Sequence, residues 1–134
     1  MPEPRDAGLL DTSVVIDLGH LDEERLPRLT AICAITLAEL SAGPAATTDP
    51  GERARRQDRL QRVEAAFEPI AFGTEAARAY GRVHAAVVAS GRQSRRRFAD
   101  LMIASVAIAE GLPLYTRNPD DFAGLDSLVE IVAL

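Results

Sequence analysis

The chain has 134 residues and a formal net charge of −5, from 20 acids against 15 bases. One domain of ordinary size is expected, and overall acidity argues against a general electrostatic nucleic-acid binder while leaving room for a local basic patch. All 15 bases are arginines; without a lysine, a P-loop and lysine-dependent phosphotransfer chemistry lose their central residue.

In chain order, "GLLD" at 8–11 is a short apolar run closing on Asp11, the pattern of a buried strand. "TSVVIDLGHL" reads as a short helix with Thr12 or Ser13 as its cap. "TAICAI" at 30–35 is a second buried strand, and its lone Cys33 excludes an internal disulfide framework and reads as a small core residue. "TLAELSAG" forms a helix opened by Thr36 and closed by Gly43-Pro44. A long helix runs from about 50 to 67, with Asp49 as cap and Pro50 in the first turn. "EPIAF" is a short strand. Thr74, as cap, begins a helix that reaches about Ser90 and stops at Gly91. Residues 94–110 form an apolar helix ended by Gly111 and Pro113. "PLYT" is a strand, "RNPDDF" a turn and "VEIVAL" a last strand.

Short apolar strands alternating with helices imply a parallel sheet of about four to five strands covered on both faces, a three-layer α/β/α arrangement. Ligands in such sheets bind beyond the carboxyl ends of the strands. No apolar run approaches the roughly 20 residues of a membrane span, and the N-terminus lacks a signal-peptide layout. A soluble cytoplasmic protein of one domain, 1–134, is expected.

Acids stand at several of the expected strand ends. Asp11 closes the first strand, Glu39 interrupts the apolar pattern of "ITLAEL", Asp100 stands near the front of the apolar helix, and Asp121 follows "LPLY" together with Thr116 and Asn118. Each has an ordinary alternative: a helix cap for Asp11, an arginine partner for Glu39, an Arg97–Asp100 pair one turn apart, and a turn residue for Asp121. Gathered in one cleft, the carboxylates would repel one another unless a cation sat between them. Carboxylates without a histidine or cysteine set suit Mg²⁺ or Mn²⁺ rather than Zn²⁺; His20 and His84 are isolated.

Taken together, "LLDTSVVID", "ITLAEL", "RFADLMIASVAIAEGLPLYTRNPDDF" and the final "VEIV" resemble a PIN domain, with the nearest likeness to VapC-type toxins of bacterial toxin–antitoxin pairs. The resemblance spans nearly the whole chain. It implies a metal-dependent endoribonuclease with Asp11, Glu39 and Asp100 as the family acids. Asp11, Asp100 and Glu39 are then the metal ligands, and Thr12, Ser13 and Thr116 the polar supports. The fourth family acid falls at Asn118, a neutral residue, so Asp121 is the other candidate for that duty. A VapB-type antitoxin, an RNA substrate and a homodimer are implied on the same grounds.

Hydrolysis of an RNA phosphodiester needs cations to offset the acids. Arg92, Arg95, Arg96 and Arg97, just before Asp100, are candidates for contacts to RNA or to the partner. Arg53, Arg55, Arg56, Arg59 and Arg62 on the long helix read instead as a solvated face paired with acids such as Asp58. The competing reading is a non-catalytic PIN-like binding module, for which Asn118 is the one sequence argument.

Overall fold

Leu9 and Leu10 are neighbours in the chain and both fully buried, yet they belong to different cores. Side chains alternate across a strand, so a strand buried on both faces feeds two layers at once. The computed structural model describes residues 6–92 and 97–134. Its sheet has four parallel strands in the order β2-β1-β3-β4: β1 Ala7–Leu10, β2 Leu29–Ala31, β3 Leu114–Thr116 and β4 Ile131–Ala133. Leu9 pairs with Leu114, and Leu10 with Tyr115.

One layer packs Leu9 and Leu114 beneath α4 (Thr74–Ala89) and α5 (Phe98–Glu110), through Val83, Val87, Leu101 and Ile103. The other packs Leu10, Ile32 and Tyr115 against α1 (Thr12–Ile16), α2 (Ala34–Ala42) and α3 (Pro50–Ala66), through Val14, Val15, Leu40 and Val63. The expected α/β/α layering is therefore present. Cys33 is fully buried, as a core residue should be.

The Tyr115 ring lies directly on Gly8 of β1. A Cβ built there would overlap the ring, 2.7 Å from Cδ1 and 3.1 Å from Pro27. Gly111 ends α5 in the left-handed region, φ 66°, as a glycine after a helix commonly does.

Several local expectations are corrected. The cap of α1 is Asp11, not Thr12 or Ser13, because the Asp11 carboxylate accepts from the Val14 backbone N–H at 3.1 Å. Helix α2 opens at Ala34 rather than Thr36, whose hydroxyl is buried within it. Among the described residues "EPIAF" makes one bridge rather than a strand, in which the Ile70 N–H donates to the Ile32 carbonyl at 2.9 Å and the Ala34 N–H donates to the Ile70 carbonyl at 2.8 Å. Gly73, not Thr74, precedes the first turn of α4. "RNPDDF" is a turn, as expected, and takes a 3-10 form over Pro119–Phe122. Asp49 caps α3 through the Glu52 N–H at 2.7 Å, as expected. The proposed start of the apolar helix at 94, with Arg95 and Arg96, lies outside the described residues.

Candidate active site

The chain leaves β1 for an α1 on one side of it and returns, after β2, to β3 on the other. The carboxyl ends of β1 and β3 thus mark the point where the winding reverses, the usual place for a site in such a sheet. Asp11 follows the end of β1, and Thr116 ends β3.

Asp11 is 4 % exposed. Burial raises its pKa, while hydroxyls of Ser13 and Thr116 and backbone N–H groups of Val14 and Ser13 oppose the rise by bonding the charged form. Ser13 Oγ donates to Asp11 Oδ1 at 2.6 Å and accepts the Arg117 N–H at 3.0 Å. Thr116 is fully buried, and its Oγ1 accepts the Asn118 N–H at 2.9 Å. The carboxylate is held from helix α1 and from strand β3 at once.

Glu39, on α2, is exposed rather than packed inward. Thr12 Oγ1 donates to its Oε1 at 2.5 Å, and the buried Thr36 hydroxyl lies 3.3 Å from the same oxygen of Thr12. The residue after Asp11 thereby ties α2 to the β1 end. Thr36 was not singled out as a site residue, although its placement one turn before Glu39 puts both on one helix face.

Asp100 sits in the first turn of α5, which is buried almost all round through Leu101 and Ile103 to Ala107. Its carboxyl is pushed up to about 6, first by desolvation and then by the negative charges of Asp121, Glu39 and Asp11, with Arg97 opposing. Acids from three distant segments therefore bear on Asp100. The alternative Arg97–Asp100 pair is not the arrangement found: Arg97 lies 3.8 Å from Asp121 and donates to the Asp120 carbonyl at 2.8 Å. Arg92 donates to the same carbonyl at 3.0 Å. These two arginines clasp the 3-10 turn that carries Asp121 to the approach of α5.

Asn118 is exposed and turns its backbone N–H toward Thr116. Asp121, with Glu39 and Asp11, supplies negative charge felt by Asp100. Arg117, not foreseen as a site residue, bonds Ser13 through its backbone and pairs with Asp17 at 3.3 Å. His20 and His84 are exposed, and His84 stands beside Tyr80 with ring centres 6.1 Å apart.

Carboxylates with hydroxyl support have the chemistry that fits a hard divalent cation. Among the described residues no three His, Cys, Asp or Glu side chains already stand in a metal-holding arrangement. Facing like charges have no electrostatic reason to close up by themselves. No helix among the described residues is long and apolar enough to cross a membrane.

The PIN domain family model matches residues 8–128. Ribonuclease VapC5 of Mycobacterium tuberculosis is 41% identical over 128 residues, 93% of this chain and 92% of that protein. A crystal structure of a member of the VapBC family of toxin–antitoxin systems, VapBC-5 from the same organism, superposes with a TM-score of 0.84 at 40% identity, covering 96% of this chain and 99% of that one. VapBC2 from Rickettsia felis, bound to a promoter DNA fragment, shares the fold at a TM-score of 0.73 and 23% identity, over 96% and 98% of the two chains.

Proposed function

The chain belongs to the PIN-domain family, in its VapC branch, and from that premise we propose that it is a metal-dependent endoribonuclease and the toxin of a toxin–antitoxin pair. The observation that supports the reading is the placing of Asp11 and Thr116 at the carboxyl ends of β1 and β3, with the charges of Asp121, Glu39 and Asp11 all bearing on the Asp100 carboxyl. Asp11, Asp100 and Glu39 are the residues to hold Mg²⁺ or Mn²⁺, with Asp121 in the fourth acidic place left open by Asn118. When bound, such an ion lowers the pKa of a coordinated water and neutralises charge that develops on the phosphate. The protein's part is orientation. Ser13 and Thr116 fix the Asp11 carboxylate, Thr12 fixes Glu39, and Arg97 holds the turn that carries Asp121.

The relatives crystallised as VapBC complexes support a VapB-type antitoxin as the neutralising partner. A homodimer and action as one domain over 1–134 complete the reading. The charge of Asp121 bears on Asp100, which supports Asp121 rather than the neutral Asn118 in the fourth place and favours the catalytic reading over a non-catalytic module.

Purified protein incubated with structured RNA should cut it in Mg²⁺ or Mn²⁺ and stop in chelator. Because Asp11 also caps α1, Asp11→Ala would cost about 1 kcal/mol of stability besides chemistry. Asp11→Asn keeps an acceptor for the Val14 N–H and isolates the loss of charge. We expect cleavage to fall at least about a hundredfold in Asp11→Asn. Cleavage that persists in the variant or in chelator would overturn the assignment.

A further inference from the structure

The arginines of α3 were expected to be a solvated face matched with acids, and four of the five are engaged. Arg53 donates to the Pro44 and Thr47 carbonyls, Arg55 and Arg56 hold Glu52, and Arg62 lies 3.3 Å from Asp58. Arg59 differs. It is half-buried, yet among the described residues its guanidinium has no ion pair or hydrogen bond. The α3 positions three and four residues away from it offer Arg56, Arg55, Arg62 and Val63, so its own helix supplies no acid there.

Arg59 lines an open groove of about 270 Å³ shared with Glu39, Thr12, Ile16, Glu52 and Arg56. Both acids of that groove are taken: Glu52 by Arg55 and Arg56, Glu39 by the Thr12 hydroxyl. An unmatched guanidinium on a groove wall is free to take an anion, and its planar fork fits a phosphate with two parallel bonds. The acids at the groove's end repel a nucleic-acid strand, so a strand that enters there needs a cation within reach.

We propose that Arg59 is a substrate-binding residue, whose guanidinium takes a backbone phosphate of the RNA next to the one being cut. The proposal rests on the ribonuclease reading. It places the incoming strand along α3 and α1, past Glu39.

The test measures binding of a short fluorescent single-stranded RNA of mixed sequence across a salt series, and cleavage of total RNA at saturation, in Mg²⁺. Arg59→Ala should bind about tenfold more weakly, the size of one charge-assisted contact. Its plot of log affinity against log salt should be shallower by about 0.7, one phosphate of a single strand. The saturated cleavage rate should stay within about twofold, and Arg59→Lys should lie between variant and wild type. With no partner to lose, Arg59→Ala should keep its Tm. Arg78→Ala removes an equal charge from α4, on the opposite layer, and should change none of these. Equal affinity and slope in Arg59→Ala overturn the proposal. So does an equal loss in Arg78→Ala, which marks general electrostatics. So does unchanged RNA binding with lost inhibition by a VapB-type antitoxin, which gives the guanidinium to the protein partner. Wild-type protein that neither binds nor cuts RNA overturns the ribonuclease reading itself, and this one with it.

Discussion

Asp100 carries a conflict that a metal would resolve. In the metal-free protein its carboxyl is half-buried and surrounded by Asp121, Glu39 and Asp11, so the proton leaves near pH 6 instead of near 4. A carboxyl whose folded pKa lies above its unfolded value opposes folding when ionised. The penalty is full above about pH 6, shrinks as pH falls, and is gone below the unfolded value of 3.8. We therefore expect Asp100→Asn to raise the stability of the chelated protein at pH 7.5 by roughly 1–3 kcal/mol. The gain should fade toward pH 4, as thermal melts across pH will show. The same substitution should abolish metal-dependent cleavage, so stability and activity move in opposite directions. Thr116 is the converse case, because its hydroxyl stabilises the charged Asp11 and its Oγ1 accepts the Asn118 N–H. Thr116→Val should cost about 1–3 kcal/mol in chemical denaturation, since the Asn118 N–H and the Asp11 carboxylate each lose a partner.

At the level of elements, β1 is pinned by the contact between Gly8 and the Tyr115 ring. Gly8→Ala forces that ring or its strand aside, and overpacking of this kind costs about 1–3 kcal/mol. A lower midpoint in urea with an unchanged slope is the expected result. Elements whose signals are local were legible in the sequence. Asp49-Pro50 marks α3 because cap and first turn are adjacent, and the almost wholly apolar 101–107 stretch marks a helix buried all round. Misreadings arose where two residues compete for one duty. Asp11 took the cap from Thr12 and Ser13, whose hydroxyls were drawn to Glu39 and to Asp11 itself. "EPIAF" has an apolar strand pattern but pairs with its neighbour only at Ile70, a pairing partner that the pattern alone does not specify. Glu39 and Asp100 stand out in the sequence as interruptions of apolar patterns, whereas Asp11 and Asp121 read equally well as a cap and a turn residue. The clasp of Arg92 and Arg97 on the Asp120 carbonyl was not, since a backbone oxygen leaves no mark in a sequence.

Across the whole molecule, the net charge of −5 and the gathering of acids at one edge make the metal-free fold self-repelling there. An ion that binds only the folded chain stabilises it by mass action. Saturating Mg²⁺ or Mn²⁺ should raise Tm by about 5–10 °C in wild type and much less in Asp11→Asn, measured by scanning calorimetry. The two cores share β1, which sends Leu9 to one layer and Leu10 to the other before Asp11 closes the strand. Inserting or deleting a single codon between residues 7 and 11 would reverse every inward choice downstream of it and point the first acid at the wrong layer. In a selection for survivors of toxin expression, in-frame indels should therefore be as disabling in this four-residue strand as the loss of an acid.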